Sequence, residues 1–100
     1  MTSDPHTTRL LWFLFAGSRG GLNRLRIIST IKKKPLNTNQ LANKLNLDYK
    51  AIKHHIEVLQ KNNLITAVGE RYAITFFISP LLEAHLEDLE EIEKKLDKSK

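Results

Sequence analysis

No cysteine occurs among the 100 residues of the chain. That absence removes disulfides, thiolate zinc sites, iron–sulfur clusters and thiol nucleophiles together, and it gives no support to a secreted disulfide scaffold. Long apolar runs are missing too. The longest, Leu10 to Ala16, has seven residues, whereas a membrane-spanning helix needs about 20. Formal charge is scarce at the start: residues 1–8 carry only Asp4, so the basic head of a signal peptide is not expected there. Gly20-Gly21 lacks the spacing and the lysine of a phosphate-binding loop, and there is no nucleophile elbow and no His-Glu-x-x-His. Nothing in this inventory points to an enzyme, a resident metal or a cofactor. What is present is a globular composition, 41% hydrophobic and 27% charged, of a length that suits one domain over residues 1–100.

The net charge of +5 conceals a division. Residues 19–61 hold ten basic side chains against Asp48 and Glu57, a local charge of +8, while residues 81–100 hold four lysines against seven acids, a local charge of −3. A basic middle suits a polyanionic partner, and an acidic end suits another task.

Asp4-Pro5 reads as a helix cap followed by proline at the first helical position, and Gly17 as the stop, which predicts a helix over 5–17 with a hydrophobic strand as the competing reading. Ser18 to Gly21 reads as a turn. Leu25, Ile28 and Ile31, with Ile27 beside them, predict a helix from about Leu22 to Lys33 that Pro35 stops. Asn37-Thr38 offers caps for a helix over Asn39–Asn46, burying Leu41, Ala42 and Leu45. Asp48 would cap a helix over Tyr49–Asn62, with Ile52, Ile56 and Leu59 facing inward. Leu64–Val68 and Arg71–Phe77 are β-rich and flank Gly69-Glu70, a hairpin signal. Ser79-Pro80 starts a last helix over 80–98 in which Leu82, Leu89 and Leu96 recur every seven residues, with His85 and Ile92 between them.

Two short helices joined by a tight turn and followed by a hairpin describe a winged helix-turn-helix, mainly α with a small β-hairpin, its core at 20–78. Such a fold can lay its second helix in the major groove of DNA. The face of helix 49–62 not used by its isoleucines carries Tyr49, Lys50, Lys53, His54 and Glu57. The lysines supply donors for guanine or phosphate, Tyr49 and His54 can bond phosphate or a base edge, and Glu57 can accept only from cytosine or position a lysine. Arg24 and Arg26 on the preceding helix, with Lys32 to Lys34, suit backbone contacts, and Arg71 beside the hairpin tip suits a minor groove. His54 and His55 point about 100° apart on a helix and cannot share one metal ion. RNA binding would want an aromatic platform, and only Tyr49 projects from the basic face.

Residues 20–80 resemble the arsenical-resistance repressor (ArsR) type of winged helix, and more closely its small archaeal regulators. The resemblance is carried by R-L-R-I-I at 24–28, Q-L-A-N-K-L-N-L at 40–47, Y-K-A-I-K-H-H-I-E-V-L at 49–59 and N-L-I at 63–65. It implies a cytoplasmic, homodimeric, sequence-specific regulator of transcription on double-stranded DNA, with the base-proximal positions at Lys50, Lys53 and His54. Lys53 stands where the family usually has a small hydroxyl residue. Dimerisation through helices at both ends of the chain is also implied, which would use Leu11, Trp12, Phe15, Leu82, Leu86, Leu89, Ile92 and Leu96. The family's metal sensing does not carry over: no Cys-x-Cys is present, and Glu83-Ala84-His85 imitates half of another metal site whose second histidine position is Leu96. Any small-molecule effector is left open. The alternative reading is a winged-helix protein–protein interaction module of a transcription or other nucleic-acid assembly, with no sequence reading.

Overall fold

The computed structural model describes residues 4–71 and 73–98, the last two as backbone only. Residues 1–3, 72 and 99–100 of the expected single domain lie outside the described residues. The first helix, α1 (Pro5–Trp12), begins where the cap chemistry predicts. Asp4 accepts from the backbone N–H of His6 at 3.2 Å and from the Thr7 hydroxyl at 2.9 Å. These bonds hold its carboxyl below the usual range. The apolar run is helical, not a strand, but after Trp12 it loosens into a π-helical segment, Phe13–Gly17. The following turn is drawn tight against it. A β-carbon on Gly21 would stand 2.5 Å from the Phe15 carbonyl oxygen, so α2 (Gly21–Lys33) can start only where it does because residue 21 has no side chain.

The helix-turn-helix follows. Its first member, α3 (Thr38–Leu45), opens with a reciprocal capping box: Asn37 accepts from the Gln40 N–H at 2.8 Å, and Gln40 accepts from the Asn37 N–H at 2.9 Å. Asn46 ends it at φ 55°, a left-handed conformation that asparagine tolerates. The second member, α4 (Tyr49–Lys61), has Asp48 at the N-cap position, but the expected capping bond is absent. Its rear face buries Ile52, Ile56 and Leu59 as the spacing predicts, with His55 on the same stripe.

The hairpin consists of β1 (Ile65–Val68) and β2 (Thr75–Ile78), antiparallel with Ile65 opposite Ile78 and Val68 opposite Thr75. The second strand starts four residues later than expected. Residues 69–71 turn instead, Arg71 takes φ 53°, and the Ala73 N–H returns to the Glu70 carbonyl at 3.0 Å. Leu36 adds a single antiparallel bridge to Phe76 (2.9 Å) and ties the α2–α3 connection to the wing.

The C-terminal helix is broken, contrary to the expectation of one helix over 80–98. α5 (Pro80–Glu83) is capped by Ser79, which accepts from the Leu82 N–H at 3.1 Å. α6 runs over Leu86–Lys98. The break at Ala84-His85 turns the His85 ring inward, where Nε2 accepts from the Asp4 N–H (3.3 Å) and Nδ1 lies 2.8 Å from the Leu81 carbonyl. A Thr8–Asp88 hydrogen bond of 2.9 Å completes the seam between α1 and α6.

That seam corrects the expected dimer surface. Leu11, Phe15, Leu82, Leu89 and Ile92 belong to the chain's own core, in one cluster with Leu25, Ile28 and Leu41. Side chains buried at 0–1% have no area left to offer a partner. Trp12, Leu86 and Leu96 are half-buried, and it is Phe13, 59% exposed, that the π-helical segment turns outward.

Candidate nucleic-acid interface

Burial of Ile52, His55, Ile56 and Leu59 fixes the roll of α4 about its own axis. The opposite face then carries Tyr49, Lys50, Lys53, His54 and Glu57, all exposed. The arrangement is an outward-facing, basic first two turns of helix, with two lysines and a histidine that no described carboxylate pairs at short range. Arg71 also reaches this side. It lines a shallow groove with Tyr49 of α4 and with Asn37, Thr38 and Asn39 at the start of α3. The wing, the first turn of α3 and the first turn of α4 therefore meet along one concave edge that brings guanidinium, phenol and amide groups together.

Sequence reasoning missed one contributor to this surface and one to a separate basic depression. Asn39 was read only as part of a helix start, yet it is exposed on the groove. Lys44 was not singled out, yet it lines a second depression with Lys33 and Lys34. Both were visible as polar residues on short exposed helix ends, but their neighbours come from elements that only folding brings together.

Arg24 is a correction. It was expected to face DNA and is 4% exposed. Its Nε and Nη2 donate to the Leu14 carbonyl at 3.2 and 3.0 Å, and Nη2 also reaches Ser18 Oγ at 2.6 Å and the Arg19 carbonyl at 3.2 Å. Nη1 lies 3.3 Å from His55 Nδ1, which requires that nitrogen to be the acceptor. The cation is thus held by carbonyl dipoles at the end of the first helix, where positive charge is favoured, and burial lowers its pKa from the ordinary value. A signal existed: residues 24, 27, 28 and 31 follow the i, i+3, i+4, i+7 spacing, so Arg24 shares the stripe of three buried isoleucines.

His55 closes the same knot from the α4 side. Burial pushes its pKa down, and the neighbouring Arg24 and His54 charges push in the same direction. Neutral and wedged against Gly20 and Arg24, it locks the roll of α4 to the start of α2. Arg26, two residues on, is exposed but also occupied: Nη1 donates to Asn23 at 3.1 Å and Nη2 to the Leu45 carbonyl at 2.9 Å. Those bonds brace the end of α3, and Arg26 is not among the residues lining the Tyr49–Arg71 groove.

No group of three or more potential metal ligands exists among the described residues, and no helix there is long and apolar enough to cross a membrane.

Comparison with known proteins agrees with this architecture. The sequence model of the family described as "Bacterial regulatory protein, arsR family" matches residues 23–67, the span from α2 to the first strand of the wing. Reduced HlyU from Vibrio cholerae superposes with a TM-score of 0.63 at 18% identity, covering 88% of this chain and 84% of that one. A probable transcriptional regulator from Pseudomonas aeruginosa gives 0.65 at 23% identity, covering 90% and 74%. A MarR family protein from Bacillus stearothermophilus gives 0.58 at 14% identity, covering 94% and 66%. A search of the curated proteins finds no match. The chain therefore has the winged-helix fold of transcription regulators, with ArsR-type sequence across its helix-turn-helix.

Proposed function

We propose that the chain is a cytoplasmic, sequence-specific regulator of transcription that binds double-stranded DNA as a homodimer. In this reading α4 enters the major groove, with Lys50, Lys53 and His54 toward base edges and Tyr49 and Glu57 beside them, while the β1–β2 hairpin with Arg71 serves as the wing. The observation that carries it is the roll of α4: its rear face is locked by Ile52, His55, Ile56 and Leu59, so the basic face has one fixed outward direction. The concave edge shared by Tyr49, Asn39 and Arg71 supports a backbone contact on the same side. For the homodimer, the support is the apolar surface left over: Phe13 outward and Trp12 and Leu86 half-exposed.

Selection of bound duplexes from a random pool tests this reading. A selected, two-fold-related site should bind about 10³-fold or more tightly than a scrambled one at fixed salt. Affinity should fall by about 10³–10⁵ between 50 and 200 mM salt if the complex makes roughly 6–10 phosphate contacts. Light scattering of the free protein should give twice the chain mass. Equal affinity for selected and scrambled duplexes refutes sequence reading and leaves the protein–protein module, and a monomeric mass bound to single half-sites refutes the dimer.

A further inference from the structure

The contact between His55 and Arg24 joins α4 to the first turn of α2 and, beyond it, to the π segment. Both side chains are buried, at 7% and 4% exposure. A guanidinium nitrogen can only donate, so the 3.3 Å contact with Nη1 requires His55 Nδ1 to be unprotonated. A protonated imidazole carries N–H on both ring nitrogens, so flipping the ring restores no acceptor. The same proton would set two cations against each other away from water.

Neither partner can withdraw in place. Arg24 is fastened on its far side, where Nε and Nη2 reach the Leu14 carbonyl, Ser18 Oγ and the Arg19 carbonyl. His55 has Gly20 against its ring: a β-carbon on residue 20 would stand 2.7 Å from Cε1. Among the described residues, the charged groups that act on His55 are Arg24 from α2 and His54 from α4 itself, whose ring centroid lies 5.6 Å away. The π segment presents no titratable side chain, and the turn presents Arg19, whose side chain is exposed. Burial first, then Arg24 and His54, hold the His55 pKa below its ordinary value. The way out for a charged ring is toward solvent. On a helix, a side chain buried in one stripe with Ile52, Ile56 and Leu59 reaches solvent only if the helix rolls.

We propose that this contact is a proton-sensitive latch: when His55 takes up a proton, α4 is released from its fixed roll and its basic face loses its alignment for DNA. The effect on DNA rests on the function proposed above; the release of α4 does not. His54 makes the sign of the effect diagnostic. It is exposed on the basic face, so a proton there adds a cation toward phosphates and strengthens binding. A proton on His55, one residue on, weakens it.

The test compares His54→Gln with the double variant His54→Gln/His55→Gln, so that the opposing proton is removed from both. Affinity for the selected duplex is measured at about pH 7.5 and about pH 5 at constant salt, with circular dichroism of the same samples. Between these values it should fall by about tenfold in His54→Gln and hold steady in the double variant, whose glutamine oxygen at residue 55 still accepts from Arg24. A second arm omits DNA. In a nuclear magnetic resonance titration of His54→Gln, the amides of Leu14, Tyr49 and Lys50 should move together with a midpoint below 6.5, and they should stay in place in the double variant. A fall in affinity that survives in the double variant, amides that ignore the His55 proton, or loss of the helical dichroism signal at the lower pH overturns the latch. Failure of both variants and of the parent chain to bind any duplex at either pH refutes the function proposed above, and the titration without DNA still decides whether α4 is released.

Discussion

The two ends of the chain and its basic middle respond differently to folding. Apolar stripes at the ends, Leu11 and Phe15 in α1 and its π segment and Leu82, Leu89 and Ile92 in α5 and α6, suit a partner on residue type alone. They fold onto one another and onto α2 instead. The charged stripe of α4, from Tyr49 to Glu57, suits a partner on the same grounds and stays in solvent. The difference lies in what satisfies each kind of surface. An apolar stripe is satisfied by any other apolar stripe, and the nearest one is tethered to the same chain at high effective concentration. A run of exposed lysines has no such internal outlet, because burying them would desolvate charge without compensation.

Substitutions can break this comparison, beginning with the core of the ends. Leu89→Glu should unfold the chain and not merely separate protomers, at a cost of about 4 kcal/mol or more, because a carboxylate would be desolvated with no donor. Urea titration followed by circular dichroism measures this. A folded variant of half the mass would show that Leu89 faces a partner after all.

The next contrast sets Arg24 against Lys53. Arg24→Ala should lower stability by about 2–3 kcal/mol, since the Leu14 carbonyl and His55 lose a charged donor, and the folded fraction should keep its DNA affinity. Lys53→Ala should leave stability within about 0.5 kcal/mol and weaken binding to the preferred site by about 1–3 kcal/mol. Reversal of either effect would mean that the two cations have been assigned to the wrong sides of the molecule.

The smallest effect is a pH slope. Burial, then Arg24, then His54 hold the His55 pKa below its ordinary 6.5, so the unfolded chain takes up the proton first as pH falls. The stabilising contribution is complete above the unfolded value and is lost as pH drops from about 7 through 6.5 and on toward the folded value. Asp4 has the same sign in a lower window, since its carboxyl is held below 3.8 by Thr7 and His6. Urea midpoints between about pH 7 and 5 should therefore decline in the parent chain and flatten in His55→Gln. A slope that survives this substitution would place the proton uptake elsewhere.

Much of the fold was legible because its signals are local. The caps at Asp4, Asn37 and Ser79, the stripe Ile52–Ile56–Leu59, and the paired β-rich segments each need only a few neighbouring residues to be recognised. The exposed face of α4 followed from the same stripe. Less legible features depend on contacts between distant residues. The break at Ala84-His85 has no local breaker, and alanine favours helix; it coincides with the bond between His85 and Asp4, 81 residues apart. The Leu36 bridge waits for Phe76 to arrive. The spacing of residues 24, 27, 28 and 31 places Arg24 among the buried isoleucines, whereas its residue type alone suggests an exposed phosphate contact.

By itself, then, the sequence determined where the helices and the hairpin form and which face of α4 is charged, since periodicity and capping act within a few residues. Tertiary structure alone decided which apolar stripes were consumed inside the chain and which of two nearby arginines was buried. Each of these outcomes is settled by how elements far apart in sequence divide a limited amount of buried surface and hydrogen-bonding capacity among themselves.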